Sequence, residues 1–206
     1  MYNSIKGSVT GEYSEKKSKF IANGFYITSE EEAKEKLDEI RKKYFDAKHN
    51  CYAYRVFENG QLIEKMSDDG EPSGTAGGPM LNILKGKNIC NYLIIVTRYF
   101  GGILLGTGGL VRAYSEALNN ALEGKELQTI NNGISISFEI DYADLKNLQY
   151  YCQNNDIFIT NQEFVDTIKI NANLSNEKLE KLQKEIDTLN FKIKNLKLGA
   201  EIMYFI

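Results

Sequence analysis

Residues 92–122 read YLIIVTRYFGGILLGTGGLVRAYSEALNNAL, and the change of texture along that stretch decides the fold. Tyr92 to Thr97 is an apolar run of strand length, which predicts a core strand. Leu110 to Leu122 sets Val111, Tyr114, Ala117, Leu118 and Leu122 at helical spacing, which predicts a helix with one buried stripe. Between the two, Arg98 opens RYFGGILLGTGG, a glycine-rich connection.

Working outward, Asp68 begins DDGEPSGTAGGPMLNILKG, where Gly and Pro predict a shaped loop and Met80 to Leu84 a short helix leaving it. Two glycine loops therefore flank one buried strand. Upstream, Ile5 to Tyr13 and Lys19 to Ile27 read as paired strands across the charged turn SEKKS. Ser29 then opens SEEEAKEKLDEIRKKY, with acids in its first turn, bases in its last, and Ala33, Leu37, Ile40 and Tyr44 forming one apolar stripe. Cys51 to Phe57 and Leu62 to Met66 follow as a hairpin about Glu58-Asn59-Gly60, because Asn-Gly supplies positive φ angles.

From about Gly133 the order becomes strand (ISISFEI), helix (ADLKNLQYYCQNN), two strands (IFIT and EFVDTIKINANL), helix (NEKLEKLQKEIDTL) and strand (FKIKNLKLGAEIMYFI). That βαββαβ order is the ferredoxin-like pattern, two helices on one face of an antiparallel sheet. The expected class is α+β, with domains at 1–127 and 128–206 joined near Lys125 to Asn132. A chain of 206 residues is long enough for two such modules.

Composition narrows the function. The three cysteines, Cys51, Cys90 and Cys152, are odd in number and widely spaced, which argues against a disulfide framework or zinc clip and for reduced, buried thiols. No apolar leader and no membrane-length apolar stretch stands out, so a cytoplasmic address without membrane association is expected. The net charge of −3 divides into 16 basic and 16 acidic residues over 1–124, and 9 and 12 over 125–206. That balance speaks against indiscriminate nucleic-acid binding and leaves room for a local basic patch.

Glycines without Cβ atoms allow backbone amides to approach an anion, and both loops lead into helix N-termini. Ser73, Gly74, Thr75, Arg98, Tyr99, Gly101, Gly102, Thr107, Gly108, Arg112 and Tyr114 are thus candidates for binding an anion or RNA, the arginines as phosphate forks and the aromatics as stacking surfaces. The plainer alternative is that the glycines serve turns and close packing while Arg98 pairs with Asp68, Asp69 or Glu71. Gly101 to Thr107 approaches a P-loop but lacks its lysine, and Gly106-Thr107-Gly108 has Val111 where a dinucleotide fingerprint needs glycine, so no cofactor is expected. His49, the sole histidine, and Glu71 are the candidate acid/base groups, with Cys51 beside His49 on the same strand. Asp68, Asp69 and Glu71 could take a divalent cation, but they lack EF-hand periodicity, and loop-capping acids are the simpler reading. No metal is expected.

The segments AKHNCYAYR, SDDGEPSGTAGGP and IVTRYFGGILLGTGGLVRAYSEAL, in this order and spacing, resemble the signature of the IMPACT/YigZ family. The resemblance covers most of Ser18 to Leu122, and the following segment is similar by pattern to the companion domain of bacterial members. It implies a first domain like the second domain of ribosomal protein S5 and a second like the C-terminal domain of elongation factor G. The motif maps onto His49, Asp69, Glu71, Ser73, Gly74, Thr75, Arg98, Tyr99, Gly101, Gly102, Gly106, Gly108, Gly109, Arg112 and Tyr114. Eukaryotic members regulate translation initiation through a partner bound by an additional N-terminal domain, so that partner is not carried over. The expectation is a translation-associated regulator binding RNA or the ribosome, with a translation factor as another possible partner. The alternatives are an enzyme for a small phosphorylated or carboxylated substrate and a protein-interaction module. Oligomeric state leaves no sequence signature.

Overall fold

In the computed structural model, which describes residues 1–206, the chain divides into two compact units, Met1–Thr129 and Ile130–Ile206. The elements of the first are β1 (Tyr2–Ser4), β2 (Ser8–Glu15), β3 (Ser18–Tyr26), α1 (Glu30–Lys43), β4 (His49–Glu58), β5 (Gln61–Ser67), α2 (Gly77–Gly86), β6 (Tyr92–Tyr99) and α3 (Gly106–Leu122). The strand expected from Ile5 begins only at Ser8, after Gly7, whose φ is +89°, and a separate short strand, β1, precedes it.

β2 to β6 form an antiparallel sheet in the order β2, β3, β6, β4, β5. β6 lies at its centre with helices on both faces. Tyr92, Ile94 and Val96 pack with Leu110, Tyr114, Ala117 and Leu118 of α3, whereas Leu93 and Ile95 pack with Ala33, Leu37 and Ile40 of α1. Because side chains alternate along a strand, Arg98 continues the row of Ile94 and Val96 and is carried under α3. β4 pairs His49 with Arg98 and Cys51 with Val96, so both join that row.

Local chemistry sets the ends. Ser29 Oγ accepts from the Glu32 amide at 3.1 Å, and Glu32 accepts from the Thr28 amide at 2.6 Å, fixing the entry to α1. Asn59 and Gly60, at φ +50° and +76°, close the β4–β5 hairpin as Asn-Gly predicts. α2 starts at Gly77 and α3 at Gly106. Glycines that read as loop are therefore first-turn residues of both helices.

The second unit contains β7 (Gln128–Ile140, whose first residues belong to the first unit), α4 (Leu145–Asn154), β8 (Phe158–Phe164), β9 (Ile168–Leu174), α5 (Asn176–Glu185) and β10 (Lys194–Phe205). β10, β7, β9 and β8 are neighbours in that order, all antiparallel. Ile136, Phe138, Ile168 and Ile170 meet Leu148 and Cys152 of α4 and Leu179 and Leu182 of α5 in one core. The segment expected to join two domains is already strand from Gln128. No helix of the chain is long and apolar enough to cross a membrane.

Candidate functional site

The two glycine loops meet a buried network. Arg98 Nη1 donates to Glu71 Oε1 at 2.6 Å, and the two side chains are 7% and 3% exposed. Tyr114 reaches down from α3 and donates its hydroxyl to the same oxygen at 2.9 Å. The Cys51 thiol faces the Tyr114 hydroxyl at 3.3 Å and the Asp68 carbonyl at 3.0 Å. The guanidinium of Arg98 lies over the rings of Phe20 and Phe100, 5.5 and 5.4 Å from their centroids, and Phe20 meets Tyr114 edge-on at 5.1 Å. Arg98 Nε is buried and has no hydrogen-bond partner. Burial pushes the Cys51 thiol up to about 12 and, together with Cys51 and Glu71, drives the Tyr114 phenol far above its ordinary range. A thiol in that state is no nucleophile near neutral pH.

The first loop is held by its own acid. Asp68 accepts from the amides of Gly74 (2.7 Å), Ala76 (2.9 Å) and Gly77 (2.8 Å), capping α2. Partial burial raises its carboxyl, but the three amide donors outweigh that and leave it below the ordinary range. The positive end of α2, expected to receive an external anion, is thus filled by the protein's own carboxylate. Asp69 accepts from the Asn50 amide at 2.7 Å and pairs with Arg41 at 3.3 Å. Its carbonyl lies 2.8 Å from His49 Nδ1; a carbonyl only accepts, so Nδ1 carries the proton and a neutral ring would offer Nε2 as the acceptor.

Several candidates are withdrawn from solvent. Tyr114 is fully buried, so its ring stacks on no RNA base. Arg98 answers Glu71 and is no free phosphate fork; one of the plainer alternatives for this arginine, a structural ion pair, is what the fold adopts. Thr75 is buried and donates its hydroxyl to the Pro72 carbonyl at 2.6 Å. Asp68, Asp69 and Glu71 each serve different partners, and no three His, Cys, Asp or Glu side chains are grouped as a metal site requires. Gly101 donates its amide to Ser18 Oγ at 3.1 Å, and a Cβ there would strike the Lys17 and Ser18 backbone, so its lack of a side chain serves packing.

Others remain at the surface. Ser73, Gly74, Gly102, Thr107, Gly108 and Arg112 are exposed, and the space beside Gly74, Gly102 and Gly108 is open. Arg112 pairs with Glu15 at 2.6 Å, away from the Arg98–Glu71 pair, so the two arginines do not form one fork. Tyr99 donates its hydroxyl to Asp46 at 2.6 Å. α3 has no side-chain cap at its N-terminus. Sequence reading missed Ser18, Phe20, Ile103 and Leu104. Phe20 lies directly opposite Arg98 because β3 pairs with β6, a pairing that no local sequence pattern announces.

Two α+β units, the first built around a buried Arg98–Glu71–Tyr114 network beneath two glycine loops, define the class of protein. The chain belongs to the IMPACT family: residues 16–122 match the Impact N-terminal domain and residues 138–189 match DUF1949, a domain of unknown function. It is 46% identical over 121 residues to the IMPACT family member YvyE of Bacillus subtilis, a match covering 59% of this chain and about half, 55%, of that relative. It is 34% identical over 182 residues to an IMPACT family member of Haemophilus influenzae, covering 88% of each chain. Among solved structures, a crystal structure described as that of a hypothetical protein is similar at a TM-score of 0.65 and 31% identity, covering 97% of this chain and 96% of the other.

Proposed function

We propose that this chain is a cytoplasmic, non-catalytic regulator in translation that docks on the ribosome or its RNA through the exposed parts of the two glycine loops. The observation that carries this reading is the disposition of charge. Arg98, Glu71, Asp68 and Tyr114, which a reaction would need free, are bonded to one another or to backbone, and what faces solvent is a shaped surface. The strand order β10, β7, β9, β8 supports reading residues 128–206 as a ferredoxin-like domain similar to the C-terminal domain of elongation factor G. Family membership supports reading residues 1–127 as similar to the second domain of ribosomal protein S5. Fold likeness is analogy, so the test must be direct.

Co-sedimentation with purified ribosomes over a salt series supplies that test. Binding is expected at low salt and should fall as salt rises, with Arg112→Ala weakening it without unfolding the chain, because Arg112 is exposed. Absence of binding at low salt would refute the reading.

A second reading, an enzyme for a small phosphorylated or carboxylated substrate, has one observation in its favour. The proton on His49 Nδ1 is fixed by the Asp69 carbonyl, as in a positioned general base. A thermal-shift screen of anionic metabolites decides it, since a ligand at 100 times its Kd stabilises the fold by about 2.7 kcal/mol.

A further inference from the structure

The surface beside the buried network is apolar where a soluble chain has reason to avoid it. Of the large hydrophobic side chains exposed in the first unit, Phe100 (53%), Ile103 (45%), Leu104 (81%) and Val111 (36%) fall within one short stretch at the end of β6 and the start of α3. The exposure is imposed by the backbone. Gly102 and Gly106, at φ +84° and +74°, turn the chain on either side of Ile103-Leu104-Leu105. Leu105 turns in against the core while Ile103 and Leu104 are held out. Gly101 anchors the base of the loop on the β2–β3 turn, and Arg98 supports Phe100 from below. A concentrated apolar patch on a fixed loop marks an interaction surface.

The charges around it are mainly cationic. The β2–β3 turn against which Gly101 packs presents Lys16 and Lys17, both exposed, and Arg112 stands one turn into α3. Glu15 is occupied by Arg112, and Glu116, half-buried, lies a turn further along. The first amides of α3 add uncapped donors beside Thr107 and Gly108.

We propose that this patch docks an acidic segment of a protein partner, whose bulky apolar side chains seat on Phe100, Ile103, Leu104 and Val111 while its carboxylates face Lys16, Lys17 and the start of α3. The inference rests on the docking reading above and narrows the recognised component to protein. Charge complementarity selects an acidic sequence. Three of the four exposed side chains, Ile103, Leu104 and Val111, are aliphatic and offer no ring for a base to stack on, which favours the apolar side chains of a protein over RNA.

The experiment uses the full chain and four fluorescent probes in an anisotropy titration. These are a peptide alternating Glu with Leu and Phe, its Lys-for-Glu counterpart, its Ala-for-Leu/Phe counterpart, and a single-stranded oligouridine. The first should bind, with the second and third each at least tenfold weaker. Leu104→Ser, at a position too exposed to disturb the core, should weaken the first probe about tenfold with an unchanged melting temperature. Lys16→Glu with Lys17→Glu should weaken it and flatten its salt dependence. Equal binding of all three peptides, indifference to Leu104→Ser, or oligouridine bound more tightly than any peptide overturns the proposal. Ribosome co-sedimentation reads the parent hypothesis separately. Patch-dependent peptide binding without ribosome binding sinks only the ribosomal reading, whereas ribosome binding indifferent to Leu104→Ser, with no peptide bound, sinks only this one.

Discussion

Replacing Glu71 by glutamine removes one charge from a pair that the fold has taken out of water. The carboxylate is 3% exposed and the guanidinium 7%, and they meet at 2.6 Å. Removing one partner of a buried ion pair costs about 3–5 kcal/mol, because the remaining charge keeps its desolvation penalty and loses its compensation. Glutamine retains one acceptor oxygen, which can serve Arg98 or Tyr114, so the lower end, about 3 kcal/mol, is expected. For a unit of this size about 1 kcal/mol moves Tm by about 4 °C, giving a fall of about 12 °C. Arg98→Met should cost at least as much, by stranding Glu71. The double variant should cost less than the sum of the two by more than about 1 kcal/mol, since it strands neither charge. Because the chain holds two units, hydrogen exchange read on peptides from β4 and β6 assigns the loss to the first. Single variants within about 1 kcal/mol of the parent, or strict additivity, would refute the account of the network.

Tyr114→Phe deletes the hydroxyl shared by Glu71 and Cys51 and should cost about 1.5–3 kcal/mol in urea denaturation, a loss that Phe in a purely packing role would not produce. None of the three cysteines should react with a disulfide reagent at pH 8 in the native chain, because each is buried, with thiols raised to about 12 at Cys51 and about 11 at Cys152; all three should react once the chain is unfolded. The Cys51 thiol ionises near its ordinary 9.0 in the unfolded chain and about 12 in the folded one, so its contribution to stability is intact below pH 9 and lost as pH climbs through that window. Cys51→Ala should flatten the alkaline limb of the stability curve. Asp68→Asn should cost about 2 kcal/mol at pH 7 by weakening the cap on α2. The parent carboxyl sits below its ordinary 3.8, so that advantage holds above about pH 4 and disappears as pH falls through the folded-state value, where parent and variant curves should converge.

Helical and strand periodicity made most elements legible, as did the capping serine of α1 and the Asn-Gly turn. What local patterns hid was where helices begin in glycine-rich sequence. α2 starts at Gly77 because Asp68, nine residues earlier in the chain, holds its first amides, a cap that only a folded-back loop can deliver. α3 gains a turn from Gly106 that glycine content alone reads as loop.

The site divides along the same line. Residue types and their spacing were enough to single out the two glycine loops and the family signature, whereas the side of β6 on which Arg98 lies was decided by packing, because both faces of that strand are apolar. Which acid answers that arginine depended on the path of the Asp68–Gly77 loop, and sequence left Asp68, Asp69 and Glu71 equivalent. Whether Tyr114 faces RNA or the core depended on how closely α3 lies on β3 and β6. The chain's chemistry was therefore written in its residues, but their availability was decided by burial. A side chain's charge is a property of its type, whereas its exposure belongs to the packed whole.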